Sequence, residues 1–335
     1  MSGPLRAGLI GAGAMGRHHA RVLRGLPDVD LVVVADPGGD PYGVVGSASL
    51  VPGVEAVVAT GIDLCVVATP TYAHVDVGLA LAEAGIATLI EKPLASTFHD
   101  ARQLEEAFDK AGVLGCVGHV ERYNPALLQM RRRLAAGELG SVYQVITRRQ
   151  GPYPARIGDV GVVMDLATHD VDLTAWVTQQ PYRDVSARTA HRSGREHEDL
   201  VAVVGSLADG TVVNHLVNWL SPMKERITVV TGERGCLVAD TLSADLTFYA
   251  NGAAPVQWDT FATFRGVVEG DMVRYAFPKA EPLATELAAF CDAVRGGRAE
   301  TVTMREAVTT VEVAERLLES ARSGDTVSLD DSRRR

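Results

Sequence analysis

Residues Leu5–Gly16, LRAGLIGAGAMG, constrain the fold of this chain more than any other stretch. Leu9 and Ile10 close a short apolar run with the character of a buried strand, and Ala14–Leu23 continues in a helical pattern. Between them Gly11, Gly13 and Gly16 set a G-x-G-x-x-G spacing. Each glycine answers a separate steric demand: a tight turn, close approach of backbone to a pyrophosphate, and a helix lying against its strand. Ala14 and Met15 fall where unpaired N–H groups and the helix dipole favour an anion. A second apolar strand, Leu31–Ala35, ends at Asp36, 20 residues beyond Gly16. There a carboxylate accepts hydrogen bonds from the ribose hydroxyls of an adenine dinucleotide. It also repels a 2′-phosphate, and between Arg24 and Arg102 the only basic Lys or Arg is Lys92. The expected cofactor is therefore NAD rather than NADP. The competing reading is a glycine-rich turn in some other α/β domain.

A chain of 335 residues is too long for one ordinary core and suggests two domains. Its net charge of −10 disfavours a nucleic-acid partner, whose phosphates it would repel. The runs Arg131–Arg133 and Arg333–Arg335 read as a solvated helix face and a tail. Cys65, Cys116, Cys236 and Cys291 have no metal-type spacing, so reduced thiols and no metal are expected. The chain enters a strand almost at once, without a basic-then-apolar leader, and no apolar run reaches the roughly 20 residues that span a bilayer. A cytoplasmic protein without a membrane partner is the expectation.

Apolar strands then alternate with helices. Leu64–Ala68 leads to Thr69-Pro70, the helix His74–Ala84 and the strand Thr88–Ile90, which delivers Glu91-Lys92-Pro93. A helix from about Ser96 to Ala111 precedes Val113–Val117 and Gly118-His119. This rhythm implies a parallel, doubly wound sheet of α/β class. Gly11, Asp36, Thr69, Lys92 and His119 all follow strands, so they should share the ligand-binding edge. The rhythm changes near Pro125, and we divide the chain there: residues 1–123 for the dinucleotide, 124–335 for substrate and oligomerisation. A helix Ala126–Ala136, a strand Val142–Thr147, a polar loop Arg148–Gly158 and a helical stretch Val162–Thr178 follow. Six β-type segments run from Arg183 to about Tyr249, with Asp209-Gly210 as a hairpin signal. A largely antiparallel sheet open on one face is expected, and such a face favours oligomerisation. Helices Pro282–Val294 and Arg305–Arg322 close the pattern.

Three groups are equipped for chemistry. Lys92, at a strand end, can stabilise negative charge developing on a reacting hydroxyl; as a lone lysine it reads equally as a surface ion pair. Asp165, His169 and Asp172 have i, i+4, i+7 spacing, which places them on one face of a helix among apolar neighbours. A carboxylate beside an imidazole orients a base; ordinary helix-start charges and a shared divalent ion are the alternatives. Arg122, Tyr123, Arg148, Arg149, Tyr153 and Arg156 form a basic, aromatic-bearing set suited to an anionic substrate, or a solvated surface.

Gly11–Gly16, Asp36, Thr69-Pro70 with His74, Glu91-Lys92-Pro93, and Asp165 with His169 occur in an order that resembles the glucose–fructose oxidoreductase/inositol dehydrogenase/MocA (Gfo/Idh/MocA) family. The resemblance covers most of the chain. It implies a Rossmann domain followed by an α+β domain with an open-faced antiparallel sheet, and NAD(P)-dependent hydride transfer at a secondary carbinol of a sugar or cyclitol. It also implies a homodimer or homotetramer. The family's catalytic Lys, Asp and His fall on Lys92, Asp165 and His169. Cofactor contacts fall on Gly11, Gly13, Ala14, Met15, Gly16, Asp36, Thr69, Pro70, His74, Glu91 and Lys92. Substrate contacts are expected from His119, Arg122, Tyr123, Arg149, Tyr153, Arg156, Asp165 and His169. Gly118–Pro125 and Arg149–His169 look like a narrower branch that oxidises the C3 hydroxyl of UDP-N-acetylglucosamine. Dehydrogenation of a cyclitol or of a free or phosphorylated sugar, and a non-catalytic NAD-binding sensor, are the rival expectations.

Overall fold

In the computed structural model, which describes residues 3–154, 160–252 and 268–329, six strands form one sheet in which every neighbouring pair is parallel. They are β1 (Leu5–Ile10), β2 (Val29–Ala35), β3 (Ser49–Val51), β4 (Leu64–Val67), β5 (Ala87–Glu91) and β6 (Gly115–Gly118), in the order β3-β2-β1-β4-β5-β6. The order reverses between β1 and β4, the switch point at which such sheets open a crevice at their carboxyl ends. Leu5, Leu9, Val34, Leu64, Val66 and Leu89 are buried in its core. Helices Ala14–Gly25, His74–Glu83 and Phe98–Ala111 connect the strands, the last capped by the Thr97 side chain and stopped at Gly112 with φ +64. Gly11, Asp36, Thr69, Lys92 and His119 each follow a strand of this parallel set, so the shared edge read from the sequence holds. The short strand β3 escaped that reading: three residues carry no visible period.

This compact unit is discontinuous in sequence. It comprises residues up to Tyr123, the described part of Pro154–Thr168, and Glu281–Glu315. The helix Pro282–Val294 packs on the helix Ala14–Gly25 and on the turn Val120–Tyr123, adding Leu283, Leu287, Phe290 and Cys291 to the same core. A backbone hydrogen bond from Val117 to the Val302 carbonyl at 2.9 Å ties the following segment to β6.

The second unit is built on nine strands: β7 (Val142–Pro152), β8 (Tyr182–Ala190), β9 (Leu200–Leu207), β10 (Val212–Asn218), β11 (Leu220–Gly232), β12 (Gly235–Asp240), β13 (Asp245–Gly252), β14 (Val268–Arg274) and β15 (Val327–Ser328). Their order is β14-β13-β12-β11-β7-β10-β9-β8-β15, antiparallel throughout except β7 against β10. Asp209-Gly210 does make the β9–β10 turn, with Gly210 at φ +91. One expectation fails here: Arg148–Pro152 is not loop but the continuation of β7, which pairs on both sides. Alternation explains it, since Val145, Thr147, Arg149 and Gly151 are buried while Gln144, Ile146, Arg148, Gln150 and Pro152 between and beside them are not. On β9 and β10 the inward Val203, Val213 and Val217 are buried, whereas Val204, Val212 and Leu216 are exposed. All four cysteines are free, and burial raises the Cys116 and Cys291 thiols to about 11. Among the described residues no helix is long and apolar enough to cross a membrane, and no group of three His, Cys, Asp or Glu is arranged to hold a metal ion.

Candidate active site

The ends of β1, β2 and β4 carry a cradle whose glycines are held for different reasons. Gly11 leaves β1 at φ +101, where a methyl would lie 2.5 Å from the Ala68 carbonyl oxygen. A Cβ on Gly16 would come within 1.9 Å of the Gly11 carbonyl oxygen. The protein's own packing fixes both. Gly13 is different: a Cβ built there meets no protein atom within 4 Å. That space adjoins the start of the helix Ala14–Gly25, whose first turn has neither a side-chain cap nor an acidic residue. Its N–H groups are thus open to an anion. Asp36 accepts the Ala12 N–H on Oδ2 and the Gly38 N–H on Oδ1, both at 2.7 Å, which fixes its carboxylate beside the glycine turn. Thr69 Oγ1 is buried with no hydrogen-bond partner among the described residues. Room at Gly13, an uncapped helix start, a fixed carboxylate and an orphaned hydroxyl together fit a dinucleotide.

Lys92 follows β5 directly, and the Lys92–Pro93 peptide is cis. Its ammonium donates to Asp165 Oδ1 at 2.8 Å and to the Asp165 carbonyl oxygen at 2.6 Å. Both side chains are largely buried. A buried pair of this kind gains little net stability, because desolvation offsets the attraction; what it secures is geometry. An ammonium has three donors, so one is left for a ligand oxygen. His74, buried by its helix, faces the Pro93 carbonyl from Nδ1 at 3.0 Å and the Thr69 carbonyl from Nε2 at 3.1 Å, joining the turns after β4 and β5. Burial holds its ring below the usual imidazole range. Glu91 lies 2.7 Å from His19 Nε2 through Oε1 and accepts the Lys92 backbone N–H on Oε2 at 3.2 Å.

Asp165 sits in a π turn, Val163–Ala167, ahead of the helix Thr168–Thr178. The extra residue per turn breaks the 3.6 period on which a single Asp165–His169–Asp172 face was expected. Asp165 belongs to the first unit with Lys92, and His169 opens the next segment of the second. Other expected site residues already have partners. Arg122, 8% exposed, pairs with Glu306 at 2.6 Å, and the Tyr123 hydroxyl donates to the Glu300 carbonyl at 3.2 Å. Arg149 is sealed against Asp170 at 2.8 Å, each side chain 2% exposed. His119 is buried, and Tyr153 is half-exposed. Arg148, exposed, meets Glu225; Arg156 lies outside the described residues. Sequence reasoning missed His19 and Glu286, lone polar residues on otherwise apolar helix faces. It also missed Arg195, whose guanidinium stacks 4.0 Å from the Tyr153 ring centroid and 4.9 Å from that of Trp219.

Comparison with known proteins agrees with this cradle. The profile described as oxidoreductase family, NAD-binding Rossmann fold, matches residues 5–119, and the Gfo/Idh/MocA C-terminal domain matches residues 127–238. A myo-inositol dehydrogenase, Hyg17, of Streptomyces leeuwenhoekii is 32% identical over 82% of this chain and 90% of its own. A UDP-N-acetylglucosamine 3-dehydrogenase of Acidithiobacillus ferrooxidans is 28% identical over 75% of this chain and 79% of its own. The crystal structure of GenD2 from gentamicin A biosynthesis, in complex with NAD, superposes with a TM-score of 0.82 at 27% identity, covering 98% of this chain and 97% of that one. NAD is the cofactor that this cradle is built to take, and the chain belongs to the Gfo/Idh/MocA family of NAD-dependent oxidoreductases acting on sugar or inositol alcohols.

Proposed function

We propose that the chain oxidises a secondary hydroxyl of a sugar, in the first place the C3 hydroxyl of a nucleotide sugar such as UDP-N-acetylglucosamine. The observation that carries this reading is the Lys92 ammonium, gripped by Asp165 through two contacts and left with one donor at the edge that holds the dinucleotide cradle. NAD+, when bound, supplies the hydride acceptor. Lys92 polarises the alcohol oxygen, Asp165 fixes the direction of the ammonium, and His169 accepts the hydroxyl proton. Gly11, Gly13, Ala14, Met15, Gly16, Asp36, Thr69, Pro70, His74 and Glu91 shape the cofactor side. Arg122, Tyr123 and Arg149, already held by protein partners, shape the substrate side, with His119 and the more accessible Tyr153.

The 28% identical UDP-N-acetylglucosamine 3-dehydrogenase supports the nucleotide sugar. The 32% identical myo-inositol dehydrogenase favours a second reading, a cyclitol. NADH formation across a panel of UDP-sugars, sugar phosphates, free sugars and inositols separates them. UDP-N-acetylglucosamine is the expected substrate; turnover of inositols alone moves the assignment to a cyclitol. NADH binding without turnover of any alcohol would refute catalysis and leave a sensor. The working form is a cytoplasmic homo-oligomer, in which a second copy covers the exposed Val204, Val212 and Leu216 of the open sheet face.

A further inference from the structure

Two of the carboxyl groups buried in the first unit, Glu91 and Glu286, are in different states of satisfaction. Glu91, 7% exposed, has the His19 ring on one oxygen and the Lys92 backbone N–H on the other. Glu286, 1% exposed, sits on the inner face of the helix Pro282–Val294 beside Leu283, Leu287 and Phe290. No group among the described residues hydrogen-bonds either of its oxygens. Among the described residues, the titratable groups facing it are Glu91 at the end of β5, Cys116 on β6 and Tyr123 in the turn that its helix packs against, and none of these is a cation. His19 and Lys92 face Glu91 instead.

An ionised carboxylate with no donor, shut away from water and opposite a second carboxylate, costs far more than a neutral one. Two acids so placed divide the work: one keeps its charge, the other its proton. Burial and the charge of Glu91 push the Glu286 carboxyl well above the usual glutamate range. Burial also works against the charge of Glu91, but His19 and Lys92 outweigh it and hold that group below the range.

We propose that Glu286 is a neutral carboxylic acid in the folded protein and, through Glu91, a positioning residue for Lys92. By holding its proton it lets Glu91 remain an anion, and the anion is what accepts the Lys92 backbone N–H and meets His19. Loss of that proton would set a second negative charge against Glu91; relief by protonating Glu91 would weaken the grip on the residue that carries the ammonium. The assignment to Lys92 rests on the dehydrogenase reading; the protonation state of Glu286 does not.

The test is an infrared difference spectrum of the full-length protein with NADH bound, wild type against Glu286→Gln, at neutral pH. A carbonyl band of a protonated carboxylic acid, shifted in D2O and lost in the variant, is expected; its absence overturns the proposal. Should that substitution abolish folding, Glu286→Asp moves the same band, and a band that stays in place overturns the assignment. Melting gives the sign independently. Glu286 has its folded pKa raised, so its proton is bound equally in both states only at low pH, and the native state loses ground as pH rises through and above the usual glutamate range. The Gln variant should match wild type at about pH 4 and melt several degrees higher at about pH 8. A wild type that gains on the variant over that range is incompatible with a neutral acid. The positioning role is read from the alkaline fall of kcat, which should move up by about one pH unit in the Gln variant while the KM for NAD+ stays within about twofold. Superimposable profiles would refute that role. Infrared and melting readings need no substrate, so a failure of the dehydrogenase reading, seen as no turnover, is distinguishable from a failure here.

Discussion

Gly13 and Gly16 stand three residues apart in one motif, yet alanine at each should do opposite things. At Gly16 the new Cβ lands 1.9 Å from a backbone oxygen, that of Gly11. Backbone cannot swing aside like the tip of a side chain, so the helix must lift off β1. Overpacking of that severity costs about 3 kcal/mol, roughly 6–12 °C in the melting temperature of a unit of about 150–250 residues, the range into which the first unit falls. At Gly13 the Cβ meets no protein atom within 4 Å, and the residue's φ of −75 and ψ of −159 are open to alanine. Alanine there gains about 0.4–1 kcal/mol from a stiffer unfolded chain and loses about 0.5–1 kcal/mol as a poorer helix cap. Stability should therefore change little. On the proposed reading the methyl instead takes space that the pyrophosphate would occupy. A clash of about 1–3 kcal/mol in the complex weakens binding roughly 5- to 150-fold. Thermal melts and NADH fluorescence titrations on Gly13→Ala and Gly16→Ala measure both quantities. Wild-type NADH affinity in Gly13→Ala would show that the dinucleotide does not lie against this turn. A wild-type melt in Gly16→Ala would refute the packing of helix on strand.

Lys92→Ala and His169→Ala should each lose turnover on the true substrate by at least about a hundredfold while still binding NADH; near-normal rates in both would sink their assigned roles. On the proposed reading the Asp36 carboxylate, held by the Ala12 and Gly38 N–H groups, meets the ribose, so NADH should bind more tightly than NADPH in the same titration, and the reverse order would contradict it. His215 is sealed between Thr147 and Tyr182, and burial pushes its ring down to about 4. The unfolded chain therefore takes up a proton first as pH falls through 6.5, and about 3 kcal/mol of stability should drain away between pH 6.5 and 4. His215→Gln should flatten that decline, measured by urea melts across the range, and an unchanged slope would clear the histidine. Leu216→Glu, on the exposed sheet face, tests the proposed homo-oligomer: a monomer in light scattering is the expected result, and a mass unchanged from wild type would refute an interface at this face.

The strand ends of the first unit were legible because each demands a rare residue at a fixed place. Gly11 needs a positive φ, Gly16 a missing side chain, and Asp36 a carboxylate at the close of an apolar run. The π turn at Val163–Ala167 was not, since one added residue leaves no compositional mark and only the expected helix face reveals it. Arg148–Pro152 misled for a related reason. A polar stretch reads as loop until Arg149 finds Asp170, a partner 21 residues away that no local period announces. Glu286 was hidden as well: a single acid within ELAAF looks like a solvent-facing residue of an amphipathic helix until its neighbours are known.

The helix Pro282–Val294 supplies Leu283, Leu287 and Phe290 to a core whose strands are complete by Gly118. During synthesis those strands emerge long before their cover does. An N-terminal fragment ending near Tyr123 would present a greasy scar where that helix belongs, so cutting the gene at the apparent border yields an aggregating half rather than a portable cofactor module. A version that appends residues 281–315 to the fragment restores the missing lid and is the smaller piece worth expressing.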